Sequence, residues 1–360
     1  MADPVTEQIA ALSDEDWAVR EDAASALATL RDPRAVAPLT RALRDSDRAV
    51  REAAKAALFA IGEPAVPALG DCLDDPALQV QEAASSVLAE IADYRVFDAL
   101  VAALRSGDWI VRMHAAKALG RIRDPSAVAF LMPLLQDKVK AVREQVTASL
   151  AAIGDSAVSP LLQALEHDEW LIRLHAVEAL GKLKSADAVE PLLRALFNDG
   201  DSAIREDVVR SLGLIGDARA VDYLFVALKE PGLRPTAVEA LGLIGDSRAV
   251  PVLRAIVEGA QRAEYRRPIA GCGDEWTEDM ATMGLAARAL GLIADDAAIP
   301  SLVIALRNTV TRAEAAAALV RFGAKVVPAL VPLLTREQDE NVRYHVRETL
   351  TAVGWRPGRL

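Results

Sequence analysis

The chain has 360 residues, of which 52% are apolar and only 4% aromatic. A core built mainly from small aliphatic side chains is typical of stacked helices and disfavours a β-sandwich. The net charge of -11 opposes a broad phosphate-binding surface, so we expect no nucleic-acid partner, and a reader of DNA lesions would need a basic groove. No stretch reaches the roughly 18 apolar residues of a membrane span. With two widely spaced cysteines, these features predict a cytoplasmic protein without membrane contact.

One phrase of 13 residues, V-R-x-x-A-A-x-A-L-G-x-I-G, recurs along the chain. The intervals between its central leucines are 29 to 32 residues, except for one interval of 49, so the chain holds eleven repeats with one insertion. Each repeat contains a shorter first helix, such as residues 33–44, and a longer second helix, such as residues 47–61. The central leucines are Leu27, Leu58, Leu88, Leu119, Leu150, Leu180, Leu212, Leu241, Leu290, Leu319 and Leu350.

Glycine followed by aspartate separates several of the repeats. Gly154, Gly216 and Gly245 suit a left-handed helix end, and the acid that follows each of them suits the start of the next helix. A single pair of amphipathic helices cannot bury its apolar side, so neighbouring pairs must stack. The sequence therefore predicts an all-α fold, an α-solenoid forming one right-handed superhelix over residues 1–360.

Segments 111–120 and 172–181, which read V-R-x-x-A-A-x-A-L-G or nearly so, resemble HEAT repeats of the phycobilisome-lyase type. The resemblance covers nearly the whole chain except an insertion at about 259–279 and a short tail, 355–360. It implies a solenoid of helix pairs. The family includes scaffolds, adaptors, chromophore lyases and a few metalloenzymes, so the resemblance implies the fold more firmly than the function.

Arginine follows the first position of the phrase, usually Val or Ile, in nine of the eleven repeats, and an acid often stands six residues before it. We expect this pair to span the turn into the second helix, where the guanidinium bridges a carboxylate and free backbone groups of adjacent repeats. The pairing predicts a structural role, in which these arginines and their acidic partners form a series along the stacked repeats that we call the arginine ladder. The arginines are Arg20, Arg51, Arg112, Arg143, Arg173, Arg205, Arg234, Arg312 and Arg343.

Repeats four and six depart from the pattern on the outward side of the second helix, where repeats one, two, three, five and seven carry glutamate. Tryptophan and the apolar residue four positions later share one helix face, so each of these repeats predicts an exposed apolar ridge. Tryptophan is common in binding hot spots, although it can also fill gaps between helices. The candidate partner-binding residues are Trp109, Ile110, Met113 and His114 in repeat four and Trp170, Leu171, Leu174 and His175 in repeat six.

The two histidines of these ridges do not predict a metal site. Stacked second helices lie roughly 10 Å apart, so His114 and His175, two repeats apart, are too distant to share an ion. HEAT-repeat deoxyhypusine hydroxylases, which resemble this chain in architecture, bind iron through His-Glu pairs, and no histidine here is followed by glutamate. We expect no metal and no resident cofactor. Each histidine either contacts a ligand or packs between helices.

Charge is uneven along the chain. Residues 1–93 hold 8 basic and 18 acidic side chains, whereas residues 94–180 hold 10 of each. A solvated acidic end and electrostatic steering of a basic partner both explain this distribution.

The insertion falls between the two helices of the ninth repeat. It carries residue types favoured in recognition, and its proline and glycines break helices, so we expect a lid over the binding face, with a disordered spacer and a dimer contact as alternatives. Cys272 is a weak candidate for a catalytic thiol, because glycines flank it and two arginines lie nearby. The candidate binding residues of the lid are Tyr265, Arg266, Arg267 and Trp276.

Together these features predict a non-enzymatic scaffold, adaptor or chaperone that grips an unidentified protein partner on the concave face of the solenoid. The alternative is a bilin lyase of the HEAT type. That resemblance implies an open-chain tetrapyrrole as a transient ligand and a possible heterodimer.

Overall fold

A computed structural model describes residues 3–263 and 273–356, and every regular element in these ranges is a helix. The described side chains stop at residue 259 and resume at residue 281. The helices group into two compact parts, Met1–Ala179 and Leu180–Leu360. In both parts shorter first helices alternate with longer second helices. The predicted all-α solenoid of HEAT-like helix pairs is confirmed.

Repeats one to six follow the predicted alternation closely, and a short 3-10 turn precedes most first helices. The helices are α1 Pro4–Ala11, α2 Trp17–Leu30, α3 Val36–Ala42, α4 Arg48–Ile61, α5 Val66–Asp71, α6 Leu78–Ile91, α7 Phe97–Ala103, α8 Trp109–Ile122, α9 Ala127–Leu131, α10 Lys140–Ile153, α11 Val158–Ala164 and α12 Trp170–Leu183.

The remaining repeats continue the alternation, with two longer helices in repeat nine and two very short ones in repeat eleven. These helices are α13 Val189–Asn198, α14 Ser202–Ile215, α15 Val221–Ala227, α16 Arg234–Ile244, α17 Val250–Ala263, α18 Gly273–Ile293, α19 Ile299–Ala305, α20 Arg312–Val320, α21 Val327–Leu330, α22 Leu333–Arg336 and α23 Glu340–Ala352.

Aspartates and glycines set many of the helix ends, but Gly154 is not left-handed as predicted, because its φ of 96° and ψ of -145° describe a different conformation. The carboxylates of Asp16 and Asp47 each accept a hydrogen bond from the backbone N–H two residues later, at 2.9 and 2.7 Å, and so cap α2 and α4. Gly216 and Gly245 end α14 and α16 in the left-handed conformation, with φ of 79° and 77°. Residues with a Cβ adopt this conformation at a cost, which explains glycine there.

Small residues let adjacent second helices approach closely. A Cβ on Gly120 of α8 would lie 2.6 Å from the Cβ of Ser149 on α10, and a Cβ on Gly213 of α14 would lie 2.7 Å from the Cα of Ala240 on α16. The Ser149 hydroxyl also donates to the carbonyl of Ala116 at 2.8 Å. The glycine of the repeated phrase is therefore a packing residue, and these close contacts account for the low aromatic content of the core.

The arginine ladder exists, and its ion pairs run between neighbouring repeats. Arg20 donates from Nε and Nη2 to the carboxylate of Asp45 in the following repeat, at 2.7 and 2.9 Å. Its Nη1 donates to the carbonyl of Asp14, six residues before it, at 2.8 Å. Arg112 binds the Asp137 carboxylate of the next repeat at 2.8 and 3.0 Å. The ladder arginine thus contributes to the packing of adjacent repeats.

This corrects the expected partner of the arginine. Asp45, six residues before Arg51, offers that arginine its carbonyl at 2.7 Å, while its carboxylate accepts the Asp47 N–H at 2.8 Å. The same carboxylate then accepts the arginine of the preceding repeat. A single-repeat sequence pattern cannot show which of two arginines reaches a given carboxylate.

The insertion is not a loop over its whole predicted length of 259–279. Helix α17 continues to Ala263 and helix α18 begins at Gly273, so only residues 264–272 lie outside the described residues. Good helix formers such as alanine, glutamine, arginine and glutamate dominate both flanks and outweigh Gly259. Helical residues therefore form both flanks of the insertion, and its assignment as a non-repeat segment at about 259–279 stays a prediction.

Candidate functional site

The second-helix surface of repeat four begins with an exposed tryptophan. The Asp108 carboxylate accepts a hydrogen bond from the Ile110 N–H at 2.6 Å, which caps α8 and makes Trp109 its first residue. Trp109 is 39% exposed, and Ile110 and Met113 are half-buried. Since Trp109 and Met113 are four residues apart, they form one apolar surface over the first turn of the helix.

Repeat six repeats this arrangement at the start of α12. Trp170 is 47% exposed, while Leu171 and Leu174 are half-buried. Trp17 occupies the same position in repeat one and is 50% exposed, but the residue four positions later is the polar Glu21. Repeats four and six therefore combine an exposed tryptophan with an apolar neighbour.

Helix α10 lies between α8 and α12. It packs along α8, and its Arg143 donates from Nε to Nε2 of His175 on α12 at 3.1 Å. The two tryptophan surfaces consequently belong to second helices two repeats apart, within the part formed by Met1–Ala179. They flank the exposed start of α10 at Lys140.

His114 is half-buried against the preceding second helix. Its Nδ1 lies 3.1 Å from the buried hydroxyl of Ser85 on α6. Burial lowers the pKa of His114, and the nearby charges of Lys117 and Lys55 lower it further. His114 is therefore neutral near pH 7 and joins α6 to α8.

His175 is not an exposed binding residue, which corrects the prediction for this position. Its side chain is 4% exposed, with Arg143 donating to Nε2 and Glu178 2.9 Å from Nδ1. The reason lies in the preceding turn, where His167 stands at the position of the ladder carboxylates Asp45 and Asp137. His175 supplies the acceptor for Arg143 that the turn of repeat six lacks.

The apolar start of α8 continues into a basic half that the sequence analysis missed. Lys117 and Arg121 follow Met113 at successive intervals of four, so they extend the same helix face. Both pair with Glu90 of α6, and Arg121 does so at 2.8 Å. Hydrogen bonds from Lys117, supported by both cationic charges, hold the pKa of Glu90 below its usual range. The four-residue spacing from Trp109 was the available signal.

The first-helix side carries an apolar groove that was also missed. A cavity of about 490 Å³ lies between the first helices of repeats five and six and includes Met132, Pro133, Pro160 and Ile172 among its lining residues. Pro133 occupies the position of the charged Arg41 in repeat two, so the loss of charge at this position was the sequence signal.

The candidate residues of the insertion lie largely outside the residues that the structure describes. Tyr265, Arg266, Arg267 and Cys272 lie outside the described residues, and Trp276 belongs to α18 but its side chain is among those not described. Cys72 is buried, and burial raises the pKa of its thiol.

Residues 3–263 and 273–356 contain neither a metal-binding cluster nor a single membrane-spanning helix. No group of three or more His, Cys, Asp or Glu side chains in these ranges is arranged to hold a metal ion. No single described helix has the length and apolarity to cross a membrane, and Arg48–Ile61 with Glu63–Asp74 meets the criterion only as a pair bent by 115°.

An α-solenoid of helix pairs with an arginine ladder defines the class of this protein. HEAT repeats match the chain at residues 5–89, 66–151, 137–207, 158–232 and 189–271. The chain belongs to the HEAT-repeat family, and within that family it is of the phycobilisome-lyase HEAT-like type.

Parts of the chain are similar in sequence to curated proteins of bilin biosynthesis and of a phycocyanin operon. The chain is 40% identical over 94 residues to the bilin biosynthesis protein PecE of Nostoc sp., which covers 25% of this chain and 37% of that protein. It is 34% identical over 120 residues to the phycocyanobilin lyase subunit alpha of Picosynechococcus sp., covering 31% and 44%. It therefore spans less than half the length of either. An uncharacterized phycocyanin operon protein Z of Pseudanabaena tenuis is 32% identical over 146 residues, covering 38% and 72%.

Solved structures share the fold. Yeast importin-beta, Kap95p, aligns with a TM-score of 0.65 and 15% identity over 97% of this chain and 57% of its own. The karyopherin Kap121p, bound to the extreme C-terminus of the phosphatase Cdc14p, aligns with a TM-score of 0.64 and 14% identity over 98% and 46%. At this level of identity the likeness shows the solenoid fold alone.

Proposed function

We propose that the chain is a non-enzymatic scaffold, adaptor or chaperone that binds a protein partner on the second-helix surface of repeats four to six. The observation that carries the proposal is the pair of exposed tryptophans, Trp109 and Trp170, each followed one turn later by Met113 or Leu174. Exposed tryptophan with adjoining apolar surface is the common composition of a binding hot spot.

The neighbouring repeats support this choice by contrast. The position of Met113 and Leu174 is occupied by glutamate in repeats one, two, three, five and seven. A charged second-helix surface resists desolvation, because burying an unpaired carboxylate is costly. The partner therefore gains most of its apolar contact from repeats four and six.

We extend the proposal to the insertion as a lid. Tyr265, Arg266, Arg267 and Trp276 are residue types enriched in binding interfaces. In this proposal they add contacts to a partner that is already held by the two tryptophan surfaces.

The experiment uses a photo-crosslinking amino acid at three positions of the repeat. Placed at Met113 and Leu174 in the organism that encodes the chain, it should capture the same protein, and placed at Glu21 it should not. Glu21 is the matched control, because it also lies one turn after an exposed tryptophan. Equal capture at all three positions, or no common protein at Met113 and Leu174, would overturn the proposal.

A second candidate is a bilin lyase or chromophore-attachment factor. The observation that favours it is the similarity to the bilin biosynthesis protein PecE and to the phycocyanobilin lyase subunit alpha. In this case an open-chain tetrapyrrole is a transient ligand of the tryptophan surfaces, since aromatic rings stack on extended π-systems. The word subunit in the relative's name supports a heterodimer.

The test for this candidate is the visible absorption of phycocyanobilin. Adding the purified chain should shift and sharpen the spectrum, and Trp109→Ala with Trp170→Ala should abolish the change while Trp17→Ala retains it. An unchanged spectrum with the intact chain would reject the lyase candidate and leave the protein-binding proposal standing on its own experiment.

A further inference from the structure

Three of the ladder arginines, Arg20, Arg112 and Arg143, donate from Nε to a side chain of the following repeat. Arg20 and Arg112 donate from Nε to the carboxylates of Asp45 and Asp137, each in the following repeat. Even where the carboxylate is replaced, as for Arg143, Nε reaches a side chain of the following repeat. In these three repeats the acceptor of Nε comes from the following repeat, whereas Arg234 and Arg312 donate from Nε to a carbonyl of their own repeat at 2.9 and 2.7 Å.

Arg343 on α23 holds the ladder position of repeat eleven and lacks such an acceptor. Its Nε is buried and has no hydrogen-bond partner among the described residues. Its Nη2 lies 2.7 Å from the carboxylate of Glu340, which belongs to the same helix. Buried donors without a partner are rare in proteins, and a guanidinium is costly to leave in that state.

Asp14 in repeat one has the complementary character. Its carboxylate accepts the Asp16 N–H at 2.9 Å, the same turn geometry that Asp45 forms with Asp47 at 2.8 Å. Asp45 is half-buried and paired with Arg20, whereas Asp14 is exposed, and no described side chain donates to its carboxylate. The turn of Asp14 thus has the geometry with which Asp45 accepts a ladder arginine.

Apolar surface accompanies Asp14. Val19 on α2 is exposed, whereas Val50, Val80 and Val111 at the same position in the next three repeats are fully buried. This valine position is covered only when another helix pair packs in front of it. The surface of repeat one is therefore shaped to receive one further helix pair.

We propose that this surface receives repeat eleven of a second copy of the chain, with Arg343 of one copy donating to Asp14 of the next. Charge favours this occupant, since residues 1–93 hold 8 basic and 18 acidic side chains while residues 307–360 hold 9 basic and 5 acidic ones. Oppositely charged surfaces steer the two ends together. A head-to-tail contact of this kind is heterologous, and in this proposal it extends into an open array, so association continues beyond a dimer.

The experiment is sedimentation of the full chain over about 1 to 100 µM at low salt, a range that detects micromolar association. The average mass should rise with concentration past that of two copies, and salt should weaken the association by screening. Asp14→Arg or Arg343→Glu should each raise the dissociation constant at least tenfold. An equimolar mixture of the two variants should recover association, because the new charges are opposite.

Two control variants separate this contact from general charge effects. Arg321→Glu makes the same charge change at an exposed position of repeat ten, and Asp71→Arg does so on α5 of repeat three, both away from the proposed contact. Both should associate like the unmodified chain. The Asp14 variant also guards against unfolding of α23, because it alters only an exposed turn at the other end. A chain that stays monomeric throughout, or association that survives both variants, would overturn the proposal.

Discussion

Helices α8 and α12 have the same two departures from the repeat, a tryptophan at the first position and a histidine five residues later. The tryptophans are exposed in both helices, but the histidines differ. His114 is half-buried beside Ser85, whereas His175 is buried and accepts a hydrogen bond from Arg143. One pattern in the sequence therefore covers two physical situations.

The difference arises from the turn before each helix. Repeat five supplies Asp137 to Arg112 of repeat four, but repeat six has His167 at the corresponding position. His175 then compensates for the missing carboxylate. A departure at an exposed position indicates binding, whereas a departure at a buried position can compensate for another departure nearby.

Among the variants that test this comparison, Arg112→Ala should cause the largest loss of unfolding free energy. Arg112 and Asp137 have only 8% and 9% of their side chains exposed, so the variant leaves an unpaired buried carboxylate and should lose about 3 to 5 kcal/mol of unfolding free energy. Urea denaturation measures the loss. Arg121→Ala, which breaks an exposed pair, should cost less than about 1 kcal/mol. Equal losses would contradict a buried ladder.

The pH dependence of this variant has a definite sign. Burial raises the pKa of Asp137, but hydrogen bonds from Arg112 and the Val139 N–H outweigh it, so the folded-state pKa is lowered. The stabilisation is present above the unfolded pKa of about 4 and is lost as the pH falls through the folded pKa. Without Arg112 we expect the pKa of Asp137 to rise. The stability deficit of Arg112→Ala should therefore shrink below about pH 4, and a constant deficit would argue against this cause.

Arg143→Ala should cost less, about 1 to 3 kcal/mol, because it leaves a neutral histidine nitrogen of His175 without its donor. The same denaturation experiment measures it, beside Arg112→Ala. Partner binding by the folded protein should persist. Unchanged stability with lost binding would move Arg143 from the ladder to the binding surface.

Trp109→Ala and Trp170→Ala should each weaken partner binding by about 2 kcal/mol or more, in the hot-spot range, with little effect on folding. Trp17→Ala, equally exposed, should bind normally. Calorimetric titration with the crosslinked partner, once identified, measures these affinities. A loss of unfolding free energy of about 3 kcal/mol or more would show instead that the tryptophan is a core residue.

Replacing residues 264–272 with a short linker should have the smallest effect. Because α17 and α18 flank the segment, helicity and melting should stay nearly unchanged. If the segment is a lid, partner affinity should fall about tenfold, or about 1.4 kcal/mol. Unchanged affinity would reject the lid.

The fold was predictable because the same pattern of apolar and helix-end residues recurs in each repeat. Central leucines such as Leu58, Leu88 and Leu119 are fully buried, and the Gly216 and Gly245 turns have the expected conformation. Periodic apolar spacing and helix-end residues are local properties, so a sequence shows them directly.

The candidate site was predictable only in part. Exposure of Trp109 and Trp170 follows from their place on the helix, which the repeat fixes. Burial of His175 does not, because it depends on Arg143 in a different repeat and on the replacement at His167. Side-chain partners across repeats are tertiary information that spacing within one repeat does not contain.

The forward direction of the ladder has a consequence for synthesis on the ribosome. Arg20 is made before its acceptor, Asp45, which follows 25 residues later. At roughly 5 to 20 residues per second, the guanidinium waits about 1 to 5 s for its carboxylate. Each repeat in which the ladder reaches a carboxylate is therefore completed only when its successor has emerged, so the nascent array matures one repeat behind the growing end.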